Sequence, residues 1–261
     1  MYAAAGFKDD MRFLNDSGII GTNSTSATAV TYPLITTMLS DDFSVGTGSR
    51  TNGGSIANGW QSAGPEEKVY NTTSLIGTNF TGKLGWTETG AGSFDNVGIS
   101  FDSYTLTEVG DYITVSFDYL TTDTVNNGTG IRVRLNEAGS DVFNGGVGYG
   151  FNAPSGSNTG NLTFRSYVTG NPYATGVNEG TALSGGGLGD GASVTFSVTK
   201  TASDEITLSG SHGTNVFINT TASTNVVTFD SFGISVGSCL LYTSPSPRDS
   251  CIHLVCRLLL D

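Results

Sequence analysis

Hydrophobic and polar residues alternate with a period of two through the middle of the chain. In Tyr112-Ile-Thr-Val-Ser-Phe-Asp-Tyr119, Ile113, Val115, Phe117 and Tyr119 fall on one side of an extended segment, and Thr114, Ser116 and Asp118 on the other. Gly130-Ile-Arg-Val-Arg-Leu135 alternates in the same way, with Arg132 and Arg134 on its polar side. Leu162-Thr-Phe-Arg-Ser-Tyr-Val168 repeats the pattern with Arg165. Each segment has the signature of an antiparallel strand with one face in a core and one in water.

Further short strands are predicted at Lys68–Asn71, Gly82–Glu88, Asn96–Phe101 and Tyr104–Val109, and on the glycine-rich stretch Gly145–Phe151. Ala192–Lys200 and Glu205–Gly210 read as a hairpin, and Val226–Val236 as a closing strand. No helical periodicity is present, so the class is all-β, a jelly-roll sandwich of two antiparallel sheets. Asn15–Thr31 reads as a polar linker, which sets off residues 1–38 as a strand-like piece plus linker, the end of an upstream domain or an ordinary N-terminal strand. The sandwich domain is expected over residues 39–238, with Thr169–Gly191 as a long glycine-rich loop.

The last segment stands apart. Cys239-Leu-Leu-Tyr-Thr-Ser-Pro-Ser-Pro-Arg-Asp249 resembles the in-frame translation of a transposase-type sequencing adapter, and His253–Leu260 resembles the primer sequence that follows it in such a library. The chain then reads as a metagenomic fragment whose parent gene continues past Ser238. Residues 239–261 are expected to be non-native and unstructured. All three cysteines (Cys239, Cys251, Cys256) lie in that tail, so neither a disulfide framework nor a thiolate metal site is expected.

Composition narrows the partners. The formal net charge is −12, and it stays −12 without the tail. So acidic a chain disfavours nucleic acid and anionic membrane surfaces, and no apolar run is long enough to span a membrane. With 37 glycines, many Thr, Ser and Asn, and only 13% charged residues, the chain reads as an extracellular β domain.

The order of segments carries a family resemblance. Asp42-Phe43, then Gly110-Asp-Tyr-Ile-Thr-Val-Ser-Phe-Asp118, Ile131–Leu135, Val194–Lys200, Ile206–Leu208 and Thr228-Phe-Asp-Ser-Phe-Gly-Ile234 resemble the concanavalin A-like jelly roll of secreted bacterial proteins, many of which end in a PEP-CTERM sorting tail. The resemblance covers roughly Leu39 to Gly237 and rests on strand patterns. It implies a secreted or cell-surface protein with a curved sheet whose concave face often binds glycans. Some members of the fold are glycan hydrolases.

Hydrolysis on such a fold needs two carboxylates on one face, one to protonate the leaving oxygen and one to attack or stabilise the ring cation. The Glu-x-Asp-x-x-Glu spacing of the laminarinase group is absent, and the adjacent Glu66 and Glu67 would point to opposite faces of a strand. His212, between glycine neighbours in Gly210-Ser-His-Gly213, reads as a loop residue rather than a base. No catalytic residue is predicted. No cofactor is required, but Asp41, Asp42 and Asp230, near the ends of the domain, have oxygen ligands suited to structural Ca²⁺ if those ends meet. The alternative is that they are edge-strand charges.

The ligand-binding expectation rests on the polar side of the central strands. Arg132, Arg134 and Arg165, with Asp118, Tyr167 and Tyr149, supply planar donors, a carboxylate and aromatic faces of the kind sugar recognition uses. Arginines also suit acidic polysaccharide through bidentate contacts. The expected function is a non-catalytic, lectin-like glycan-binding module. The alternative is a structural or adhesive sandwich within a longer extracellular chain, the arginines being ordinary solvated sheet residues.

Overall fold

A computed structural model of the chain describes residues 36–51, 53–64, 68–72, 80–88, 94–121, 130–140, 147–154, 161–167, 176–184, 192–212, 215–219, 226–237 and 250–260. The N-terminal piece, Glu66-Glu67 and the glycine run 185–191 lie outside them. So do the side chains of Trp86 and His212.

The described residues form two antiparallel sheets, as the period-two alternation predicts. Sheet I runs, in spatial order, β15 (Asn215–Asn219), β14 (Glu205–His212), β13 (Ala192–Ala202), β8 (Tyr112–Thr121), β17 (Ser250–Leu260), β6 (Leu84–Glu88), β5 (Lys68–Tyr70) and β2 (Gly48–Arg50), with β1 (Thr36–Asp41) paired to β17. Sheet II runs β12 (Gly176–Ser184), β11 (Asn161–Tyr167), β10 (Gly148–Pro154), β9 (Gly130–Glu137), β16 (Thr228–Gly237), β7 (Phe94–Thr105), β4 (Gln61–Ala63) and β3 (Gly54–Ser55). Sequence-distant strands become neighbours in both sheets, as in β8 beside β13 and β16 beside both β7 and β9.

The core lies between the sheets. From sheet I it takes Ile113, Val115, Phe117, Val194, Phe196, Val198, Ile206 and Leu208; from sheet II, Val97, Ile99, Val133, Leu135, Phe151, Phe164, Phe232 and Ile234. Aromatic pairs join the two layers: Phe196 packs 5.8 Å from Phe151 and 6.2 Å from Phe164, and Phe117 lies 6.2 Å from Phe232. Such pairs add to plain area burial because ring edges meet ring faces. The β13–β14 hairpin closes with Ala202 opposite Glu205, as its sequence predicts.

Two expectations are corrected. Thr169–Gly191 is not one uninterrupted loop, because Gly176–Ser184 pairs with β11 as β12. Its Val177-x-Glu179 positions fall opposite Ser166 and Phe164, and this pairing overrides the turn signal of the surrounding glycines. Nor is the tail unstructured throughout. Ser250–Leu260 is a strand in the interior of sheet I, paired with β8 on one side and with β6 and β1 on the other. Without it, β8 would present a row of unpaired backbone donors and acceptors, and the apolar, proline-free run at the chain end is well suited to satisfy them.

Candidate functional site

The site is built on the face of sheet II that points away from the core. Val133 and Leu135 face inward on β9, so Arg132, Arg134 and Asn136 face outward. On β11, Leu162 and Phe164 face inward, so Thr163, Arg165 and Tyr167 face outward. Register then aligns the outward positions into rungs. One rung crosses seven strands as Gln61, Gly98, Gly233, Arg134, Gly150, Arg165 and Asn178. A second runs Ser100, Ser231, Asn136, Gly148, Tyr167, Gly176. A third includes Asn96, Ser235, Arg132 and Asn152.

Three features follow. None of these rung positions is a carboxylate. Glycine separates Arg134 from Arg165, and the Tyr167 ring lies close over it, 3.1 Å from where a Cβ on Gly150 would stand. That glycine cannot be exchanged cheaply: a Cβ on Gly150 would sit 1.9 Å from the Val133 carbonyl oxygen, and one on Gly148 would sit 2.1 Å from that of Leu135. The close approach of β10 to β9 demands residues without side chains.

The face is enclosed in part. Arg134 is 1% exposed and Tyr167 2%, whereas Arg132, Asn152, Thr163 and Arg165 are half-buried and Asn178 is exposed. Arg134 and Tyr167 therefore make a floor, with Arg132, Asn152, Arg165 and Asn178 as its rim. The Arg134 guanidinium lies 5.5 Å from the Tyr167 ring centroid, a cation–π contact in a desolvated setting. The Tyr167 hydroxyl donates to Asn152 Oδ1 at 3.3 Å. Burial pushes the Tyr167 phenol above its usual range, while Arg134, Arg132 and Arg165 each pull it back by favouring the phenolate. Nε of Arg165 is buried and has no hydrogen-bond partner among the described residues. The ensemble can donate hydrogen bonds to hydroxyls and clamp an anion. Its rungs hold no pair of carboxylates of the kind glycan hydrolysis commonly uses.

Of the residues singled out from sequence, Arg132, Arg134, Arg165 and Tyr167 come together here. Two do not. Tyr149 faces the core: it stands opposite Leu135, is fully buried, packs 6.1 Å from Phe229, and its hydroxyl accepts a hydrogen bond from the Val226 amide at 3.0 Å. Parity assigns it there with Phe151 and Ala153. Asp118 lies on sheet I, exposed, where its Oδ1 accepts from Ser193 Oγ at 2.6 Å. It shares polarity with the arginines but not a sheet. Asn152, Asn178 and the rung glycines were missed. The spacing Gly148-x-Gly150-x-Asn152 carried the signal, since it continues the arginine side across the neighbouring strand.

The three aspartates expected to hold calcium do not form a site. Both carboxylate oxygens of Asp41 are taken by donors: the Tyr70 hydroxyl at 2.8 and 2.9 Å, Trp60 Nε1 at 2.9 Å and the Phe43 amide at 2.8 Å. This carboxylate locks the buried Trp60 and Tyr70 in place, and burial first, then the carboxylate, pushes the Tyr70 phenol far up. Asp42 caps a turn through the Ser44 amide at 3.0 Å, and the Ser44 hydroxyl and amide hold its carboxyl below the usual range. Asp230 Oδ2 instead accepts from the Gly139 amide at 2.6 Å, in sheet II. No group of three His, Cys, Asp or Glu able to hold a metal occurs among the described residues. The premise that the first and last strands of the domain are neighbours fails because β16 pairs with β7 and β9, whereas β1 pairs with β17. A pocket of about 390 Å³ beside Asp41 and Asp42 is also lined by Leu39, Ser40, Val45 and Asn58.

No family model matches the chain, and no curated protein does. Among solved structures, it is similar to the Emp47p carbohydrate recognition domain at 12% identity, covering 85% of this chain and 94% of that one with a TM-score of 0.47. It is similar to the exoplasmic/lumenal domain of VIP36 in a Ca²⁺/Man2-bound form at 12% identity, covering 86% of each chain with a TM-score of 0.45. It is also similar to metal-free lectin I-B4 from Griffonia simplicifolia at 13% identity, covering 77% of this chain and 92% of that one with a TM-score of 0.39.

Proposed function

We propose that this chain is a non-catalytic carbohydrate-binding module of a secreted or cell-surface protein, and that it holds a glycan on the outer face of sheet II. The observation that carries this reading is the convergence of Arg132, Arg134 and Arg165 on Tyr167, with glycines on the rungs between them. Sugars present hydroxyls in fixed directions, and guanidinium forks, the Asn152 and Asn178 amides and the Tyr167 hydroxyl are donors suited to them. A second reading, a structural or adhesive spacer, draws on the near-complete enclosure of Arg134 and Tyr167, which gives that pair a structural use with or without a ligand.

The test is a glycan screen of the full chain beside an Arg132→Ala/Arg165→Ala variant. These half-buried rim residues are chosen because removing the enclosed Arg134 would disturb folding. The expected outcome is binding by the parent chain and at least about tenfold weaker binding by the variant, with unfolding temperatures within a few degrees. A glycan bound equally by both proteins places the site elsewhere. No binding across the screen leaves the spacer reading.

A further inference from the structure

We infer that β15 is an open sheet edge through which two copies of this chain pair, strand to strand about a two-fold axis, so that sheet I runs on from one copy into the other. The inference stands independently of the glycan-binding reading above.

Among the described residues, β1, β2 and β15 in sheet I and β3 and β12 in sheet II have a paired strand on one side only. Such edges invite pairing with another chain, and folded proteins blunt them with short strands, bulges, charges or proline. β2 and β3 are three and two residues long. β1 carries a register shift between Thr37 and Leu39, and β12 pairs with β11 across a shift between Leu162 and Phe164. β15 has none of these devices. Its residues Asn215-Val-Phe-Ile-Asn219 pair with β14 in unbroken register and include no proline and no charge. Phe217 is buried in the core. Val216 and Ile218 point the other way, 69% and 61% exposed, beside Ser211 and Ser209 of β14. The remaining exposed large hydrophobics, Val45 and Val109, stand outside the strands. Two aliphatic side chains in line on an unblunted edge gain by being covered.

Sequence symmetry and charge make the occupant a second copy. The strand reads nearly the same in both directions. Antiparallel pairing centred on Phe217 sets Asn215 opposite Asn219 and Val216 opposite Ile218, so the aliphatic positions of one copy meet those of the other. The stretch Ile206–Phe229 contains no Asp, Glu, Lys or Arg, in a chain whose net charge is −12. Two acidic copies repel through a charged surface and approach at least cost through a neutral one. A cationic partner drawn by the net charge would find no carboxylate on this stretch to hold it. The contact is small. Two such strands bury less than the roughly 1,600 Å² of a standard interface, so the dimer is weak, with a Kd on the order of 100 μM. A two-fold axis normal to the paired strands keeps sheet II on the same side in both copies, so their outer faces point toward one surface.

The experiment is sedimentation equilibrium of the full chain from about 5 μM to about 1 mM, with a thiol reductant present so that the three cysteines cannot cross-link copies. The samples are the parent, Val216→Lys/Ile218→Lys, Val216→Glu/Ile218→Glu, and an equal mixture of the two variants. The expected result is a concentration-dependent dimer of the parent and at least about tenfold weaker association of each variant alone, where like charges face one another. The mixture, where Lys faces Glu, should recover to within about threefold of the parent. Parent association should also strengthen between about 0.05 and about 0.5 M NaCl, as repulsion between acidic copies is screened. A parent that stays monomeric at about 1 mM overturns the self-pairing. A dimer that both variants form as tightly as the parent overturns β15 as its interface. Variants that are monomeric alone and remain so when mixed overturn the two-fold register. Both substituted positions are exposed, so the variants should unfold within a few degrees of the parent. If one fails to fold, Ile218→Thr decides, with an expected loss of at least about threefold and equal association counting against the edge.

Discussion

On the outer face of sheet I, hydroxyl meets hydroxyl across the strands. Thr114 Oγ1 lies 2.6 Å from Ser197 Oγ, Thr195 Oγ1 lies 2.6 Å from Ser211 Oγ, and Ser193 closes onto Asp118. These residues are half-buried or exposed, and they satisfy one another. On the outer face of sheet II, arginine, asparagine, serine and glycine occupy the equivalent positions, and Asn96, Arg134, Asn136, Ser231 and Ser235 are almost fully enclosed. Both faces arise from the same alternation of inward apolar and outward polar side chains. They differ in what the polar half contains. Short hydroxyl side chains pair laterally at little cost in side-chain entropy and leave nothing for a ligand. On sheet II the guanidinium side chain of Arg134 has glycine on both flanking strands, so that face presents long donors where sheet I presents paired hydroxyls. The kind of polar side chain, and not polarity alone, thus separates a candidate site from an ordinary solvated face.

That contrast can be broken from the inside. Phe196 packs on Phe151 of β10 and Phe164 of β11, so Phe196→Ala should cost about 3–5 kcal/mol and weaken both faces together, read from urea denaturation. If glycan binding survived at full strength in the folded fraction of that variant, the site would not depend on the sandwich that carries it. Next in size is Gly150→Ala on sheet II. The added Cβ meets the Val133 carbonyl, and the expected loss is about 1–3 kcal/mol with a displaced β10. A change of a few tenths would show that β10 and β9 do not approach as closely as described. On sheet I, Ser197→Ala removes one rung of the hydroxyl ladder and should cost about 0.5–1.5 kcal/mol with no effect on ligand binding. Loss of binding in that variant would move the site to the other face.

The smallest effect is a pH dependence away from both faces. The Glu108 amide first, with the Thr107 hydroxyl and amide and the Lys200 charge, holds the half-buried Asp111 carboxyl below the usual carboxylate range. A depressed folded-state pKa contributes stability above the unfolded value, and that contribution fades as the pH falls from about 4 through the lower folded value. Asp111→Asn should therefore be slightly less stable than the parent at pH 7 and equal to it well below pH 3. A constant difference between the two proteins across that range would remove the assignment.

How much of this was legible in the chain can be argued residue by residue. Ile113, Val115 and Phe117, or Val133 and Leu135, announce their side of the strand because side chains alternate whatever the partner strand is. The outward orientation of Arg132, Arg134 and Arg165 follows from the same rule. Tyr149 obeys it too, alternating with glycine beside Phe151 and Ala153, which puts it on the core side and not with the arginines. Asp118 shows the other limit. Its polarity along the strand was right, but no local pattern says that β8 joins β13 in one sheet while β9 joins β10 and β11 in the other. The same applies to Asp41 and Asp230, whose meeting depended on which strands become neighbours.

The sequence by itself determined that the chain is a β-sandwich, and which half of each central strand is buried, because pleat and hydrophobic burial act over two or three residues. Only the tertiary structure decided that β9 and β11 flank the glycines of β10, so that three arginines share one tyrosine. It also decided that Asp41 satisfies Trp60 and Tyr70 instead of a metal, and that the chain end enters sheet I as a strand. Those outcomes turn on hydrogen-bonded register between segments far apart in the chain. The free energy that selects a register is summed over whole strands and is written in no single residue.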